Sequence, residues 1–182
     1  MNASLPFRVG DRVVYPNHGV GVIEHISRRE IGATSQEFYQ LRIEASNLRV
    51  MVPFATAASV GMRPVIERRA LAPILQFLQR EETVACAGDW KGRFREHSEK
   101  LRSGALEQVA EVLKALVQLH QAKPLSYREK KMLDRAAYLL VSEIASASQL
   151  SLEEALALLQ RTLAKASLAL PPFENDGLRQ AG

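Results

Sequence analysis

The stretch "EFYQLRIEASNLRVMVP", residues 37–53, decides how the first third of the chain folds. Phe38, Gln40 and Arg42 alternate with Tyr39, Leu41 and Ile43, and at period two these sets occupy opposite faces of a strand. Ser46-Asn47 makes the next turn, and "LRVMVP" predicts a further strand closed by Pro53, whose missing N–H cannot continue a ladder. The same texture extends towards the N-terminus. "RVVYP" runs into Pro16-Asn17-His18-Gly19, where proline presets φ and Gly19 can take a positive one. "VGVIEHIS" then sets Val20, Val22 and His25 against Ile23, and Gly32 marks another turn. Short strands at close spacing predict a small curled sheet or barrel.

From about Pro64 the period becomes helical. "LAPILQFLQRE" has apolar residues at helical spacing, with Pro73 tolerable only in a first turn. "DWKGRFREHSEKLRSG" predicts a helix capped by Asp89 and stopped near Gly104. "ALEQVAEVLKALVQLHQ" puts Leu106, Val109, Ala110, Leu113, Leu116 and Val117 on one face. Beyond the break at Lys123-Pro124, two S-x-x-E capping boxes, Ser126 with Glu129 and Ser151 with Glu154, begin two more helices. The fold class is α+β, in two domains, 1–66 and 67–170, followed by a disordered tail over 171–182.

Composition excludes several function classes. With 47% hydrophobic and 24% charged residues, the 182-residue chain is globular rather than disordered. No apolar run approaches the ~20 residues that span a bilayer. The opening "MNASLPFRVGD" lacks the basic and hydrophobic regions of an export signal, and the lone Cys86 suits a reducing cytoplasm. His18, His25, His97 and His120 have no metal-ligand spacing among themselves or with Cys86. There is no G-x-S-x-G elbow and no P-loop lysine. "HGVGV" (18–22) has no third glycine and leads into strand, while Glu153-Glu154 sits where carboxylates favour a helix dipole. No enzyme, cofactor or metal site is indicated.

Net charge is +4, unevenly distributed: residues 90–135 carry eleven basic against six acidic side chains. That excess fits a polyanion partner or a solvated helix face. It begins at the only tryptophan, Trp90, with Lys91, Arg93 and Arg95 directly after it. On a helix, Trp90, Phe94, His97 and Leu101 share one face, which favours an inward-packed indole. Yet Trp90 lies in the first turn, where a side chain can overhang the packed face. Spacing alone leaves both readings open.

Seven segments occur in order: "FRVGDRVVYPNHGVGVIEHI", "FYQLRI", "LRVMVP", "VGMRPVI", "DWKGRFREHSEKLRSG", "VAEVLKAL" and "LSYREKKMLDRAAYLLVSEIA". Together, across roughly residues 7–165, they resemble the CarD/CdnL family of bacterial transcription factors. The resemblance implies a Tudor/SH3-like β-barrel that binds the RNA polymerase β subunit, then an all-α domain that binds promoter DNA. It implies that Trp90 wedges into the minor groove at the upstream edge of the melted −10 region. Lys91, Arg93, Arg95, Lys130 and Lys131 would lie along the phosphates, largely without regard to base sequence. Polymerase would meet Arg29, Arg49, Met51 and Pro53; some members carry arginine at the position of Met51. The expected protein is a cytoplasmic monomer brought to the nucleoid by polymerase, with no membrane partner. An adaptor of polymerase that never touches DNA is the alternative.

Overall fold

Asn17 and Gly19 take positive φ, 66° and 87°, and the His18 N–H donates to the Tyr15 carbonyl at 2.9 Å. That turn joins β1 (Arg12–Tyr15) to β2 (Gly19–Ile31). In the computed structural model, which describes residues 7–86 and 88–172, β2 then pairs with β3 (Thr34–Ile43) and β3 with β4 (Arg49–Pro53). A Cβ at Gly21 would sit 3.1 Å from both the Arg42 carbonyl oxygen and Ile43 Cδ1, so a side chain there would need β3 to give by a few tenths of an ångström.

Strict alternation fails once. The β2–β3 register shifts between Ile23 and His25, a bulge at Glu24. Ile23 and Ile26, three residues apart, therefore both pack on the core of Val13, Tyr39, Leu41, Val52, Ala57 and Met62. The bulged Glu24 accepts from Arg42 Nε at 2.6 Å and lies 3.4 Å from Arg49 Nε. The Arg42 hydrogen bond, against a desolvation cost, holds the Glu24 carboxyl below its ordinary pKa, with Arg49 adding to the effect.

The expected barrel is an open sheet, ordered β4-β3-β2-β1-β5. Its last strand, β5 (Arg63–Pro64), meets β1 only at Val13↔Pro64 and Val14↔Arg63. Proline at Pro64 offers no N–H for further pairing. Directly after Pro53, the short helix α1 (Phe54–Ala57) leaves the β4 line and packs against β3 and β4. Among the described residues β4 pairs with β3 alone, leaving its other edge free.

The chain parts into two compact units between Val65 and Ile66. The second unit is helical: α2 (Leu71–Leu78), α3 (Trp90–Ser103), α4 (Leu106–Ala122), α5 (Tyr127–Ser148) and α6 (Leu152–Ala164). Its core joins Leu113, Leu116, Leu133, Leu140, Ile144 and Leu159, all fully buried; truncating such a leucine costs about 2–5 kcal/mol. The predicted caps form: an Asp89 carboxylate oxygen accepts from the Gly92 N–H at 3.1 Å, and Gly104 adopts φ 75°. Both S-x-x-E capping boxes close as well. The tail expected over 171–182 lies outside the described residues beyond Pro172.

Lys114 and His97 are among the polar groups buried in the helical unit. Lys114, wholly buried on α4, donates to the Phe77 and Arg80 carbonyls at 2.8 and 2.7 Å and lies over the Phe77 ring. It thus satisfies carbonyls at the C-terminal end of α2, where a cation also favours the helix dipole. His97 on α3 is only 3% exposed. Burial holds its imidazole below the ordinary pKa; Lys100 and Arg93 act the same way, and Glu96 and Glu129 oppose them.

Because the folded state resists protonating His97, the unfolded chain binds more protons below about pH 6.5. Stability should therefore fall as pH drops through that value, by at most about 1.4 kcal/mol per unit. Denaturant titrations between pH 7.5 and 5.5 should show this slope in the parent and a flatter one in His97→Leu. Equal slopes would remove His97 as the cause.

Candidate functional site

The apolar stripe of α3 is graded along its length. Leu101 and His97 are buried, Phe94 is half-buried, and Trp90 at the N-terminal end is 38% exposed. The Trp90 and Phe94 rings stack with centroids 5.7 Å apart. The indole thus rests on Phe94 and remains partly exposed. The Asp89 cap sets where the helix, and with it the stripe, begins.

The first turn of α5 belongs to the same site. The Arg128 guanidinium lies 5.9 Å from the Trp90 centroid and 5.9 Å from that of Phe94, a distance at which a cation is attracted to a ring face. Tyr127 is 75% exposed, with Lys131 Nζ 5.8 Å from its ring. Sequence reasoning passed over both Tyr127 and Arg128. The signal was available: they are the first two residues after the Ser126 cap, so the capping box that starts α5 also fixes where they point.

The predicted cations divide into two kinds. Lys91, Arg95, Lys130 and Lys131 are exposed, Arg95 with a solvated i,i+4 partner in Glu99 at 3.4 Å. Arg93 does not stand with them. Its side chain is 12% exposed, donates to the Gly88 carbonyl at 2.7 Å and lies 3.9 Å from Glu129 Oε1. Glu129 in turn accepts from the Ser126 N–H and hydroxyl at 2.9 and 2.7 Å. Burial works to raise the Glu129 pKa, but those two donors and the Arg93 charge outweigh it and hold the carboxyl below its ordinary value.

In the first unit, Arg49, Met51 and Pro53 alternate with Val50 and Val52 along β4. Val52 is core, whereas Met51 is 38% exposed, so Met51 is not part of the sheet's packed interior. Arg49 is largely solvent-exposed despite its contact with Glu24. Arg29 is exposed on β2, opposite Gln36. Pro53 lines a shallow groove with Arg28, Gln36, Glu37 and Phe54. The site residues of the two units are thus an exposed apolar-and-basic strand face and an aromatic corner ringed by cations. Among the described residues no three His, Cys, Asp or Glu side chains gather as metal ligands, and no helix is long and apolar enough to cross a membrane.

Comparison with known proteins places both units. Residues 7–66 match the CarD-like/TRCF RID domain, and residues 73–160 match the CarD C-terminal domain. The chain is 37% identical over 138 residues to YdeB of Bacillus subtilis (strain 168), a protein named as a candidate transcription factor. That alignment covers 76% of this chain and 90% of the relative. With both halves matched in order and a relative aligned across nearly its whole length, the chain belongs to the CarD/CdnL family of transcription regulators.

Proposed function

We propose that this regulator binds the RNA polymerase β subunit through β4 and prolongs the open promoter complex by inserting Trp90 into the DNA minor groove. The insertion point is the upstream edge of the melted −10 region. The exposed indole at the overhanging end of α3, among the cations Lys91, Arg95, Arg128, Lys130 and Lys131, is the observation that carries this reading. An inserted side chain costs base unstacking, repaid by contacts that exist only in distorted DNA. The surrounding cations meet phosphates and add affinity without sequence information. Because the wedge fits melted DNA better than duplex, binding raises the open-complex population. The protein works in the cytoplasm as a monomer, delivered to the promoter by polymerase.

On the polymerase side, Arg49, Met51 and Pro53 form the contact face, and Arg29 adds a further basic contact. The free edge of β4 suits strand addition, in which main-chain hydrogen bonds supply affinity and alternate side chains supply specificity.

Three measurements test the reading. Trp90→Ala should cost about 1 kcal/mol or less of stability, against about 3–5 for a buried tryptophan. It should still bind polymerase and should lose most of the stabilisation of the open complex. Unchanged open-complex lifetime in the folded variant would sink the wedge and favour an adaptor that does not touch DNA.

If Lys91, Arg95, Lys130 and Lys131 each neutralise a phosphate, the log–log salt slope of DNA binding should be about −3 to −4. Arg95→Gln should reduce its magnitude by about 1, equally on unrelated sequences. A salt-independent affinity would leave these cations as a solvated surface.

Met51→Glu places a charge where polymerase would desolvate it, at a cost of a few kcal/mol of binding. Since Met51 is already exposed, folding should be spared. Normal polymerase affinity in that variant would exclude Met51 from the contact.

A further inference from the structure

We propose that Arg93 is a positioning residue for Trp90, anchoring the corner before α3 to the capping box of α5, and is not itself a phosphate contact. The proposal rests on the reading of Trp90 as the inserted side chain, but it concerns a different group and a different kind of contact.

The geometry is a chain of hydrogen bonds joined by one longer ion pair. The Arg93 side chain donates to the carbonyl of Gly88, two residues before Trp90, at 2.7 Å, and its backbone N–H donates to the Asp89 carbonyl at 3.1 Å. Its guanidinium faces Glu129 Oε1 at 3.9 Å. Glu129 uses its other oxygen, Oε2, for the Ser126 N–H and hydroxyl. One carboxylate thus receives the start of α5 on one oxygen and faces the start of α3 with the other. Arg128, next to Glu129, lies over the Trp90 ring. The separation between that ring and its covering cation is therefore set by the Arg93–Glu129 pair.

Two arguments separate this role from phosphate binding. The guanidinium is only 12% exposed, and its charge is opposed by a carboxylate that is 9% exposed. A cation already neutralised within the protein releases no counterion from DNA when the complex forms. Arginine also suits the task better than lysine, because a planar fork can hold a carbonyl and a carboxylate at once.

The test uses the full chain, with Arg93→Gln and Glu129→Gln made alone and combined with Trp90→Ala. Trp90 is the only tryptophan, so its emission and acrylamide quenching report its surroundings without DNA or polymerase. Both single variants should increase quenching. Both should shorten the open-complex lifetime, with no further loss when Trp90→Ala is added. Arg93→Gln should leave the salt slope of DNA binding at the parent value. A slope reduced by about 1, with a lifetime loss that persists in the Trp90→Ala background, would make Arg93 a phosphate contact and overturn the proposal. Unchanged quenching in both variants would overturn it as well. Should thermal unfolding show that Arg93→Gln does not fold, Glu129→Gln carries the quenching and lifetime tests: its one amide oxygen can still accept from the Ser126 N–H, while an amide NH2 replaces the carboxylate oxygen that faces Arg93. A normal lifetime in Trp90→Ala alone would count against the wedge, whereas the quenching result would still decide whether Arg93 positions the indole.

Discussion

The single turn that starts α5, from the cap Ser126 to Glu129, governs the helical unit's exposed corner. The Ser126 hydroxyl accepts from the Glu129 N–H at 3.3 Å, and the Glu129 carboxylate returns to the Ser126 N–H and hydroxyl. This reciprocal cap satisfies donors that a helix start would otherwise leave unpaired. Because Glu129 is nearly buried, its remaining oxygen is available only to a group that can reach inside, and Arg93 does so. The helix that carries Trp90 and the helix that carries Arg128, Lys130 and Lys131 are thereby tied at their N-terminal ends. Without that tie, the aromatic and basic side chains would still be present, but their mutual placement would depend on longer and softer contacts.

The corner also illustrates how one periodic stripe can do two jobs. From Leu101 to Phe94, α3 behaves as an ordinary amphipathic helix against α4 and α5. One turn further, the same stripe ends in an indole that is 38% exposed. Arg128 lies against that indole, and Lys91 and Arg95 follow it on the same helix. One of them, Arg95, has an acidic partner of its own in the solvated Glu99. Such exposed pairs are weak and give way readily to a phosphate. Charge here is a matter of which cations are already spent within the fold.

The sheet manages a related problem with its backbone. The bulge at Glu24 turns Ile26 onto the core beside Ile23 and leaves the Glu24 carboxylate among Arg42 and Arg49. The ladder stays open because α1 begins where β4 would otherwise continue and because Pro64 ends β5. An open sheet keeps a free strand edge, which a closed barrel would lack.

By itself the sequence determined the two-part α+β organisation, the helix starts and the basic middle, since periodicity, capping residues and charge are local properties. Asp89, Gly104, Ser126 and Ser151 needed only their immediate neighbours to act. The resemblance to the CarD/CdnL family was legible for the same reason, as seven short segments in order. Four features were decided by the tertiary structure alone. The bulge at Glu24 arises from pairing across strands. The open ladder depends on where α1 leaves β4. The exposure of Trp90 depends on what packs against its ring, which is Phe94 of its own helix and Arg128 of α5. Lastly, Arg93 looks in sequence like its neighbour Arg95; only the burial of Glu129 beside it turns one of these arginines inward and leaves the other in solvent.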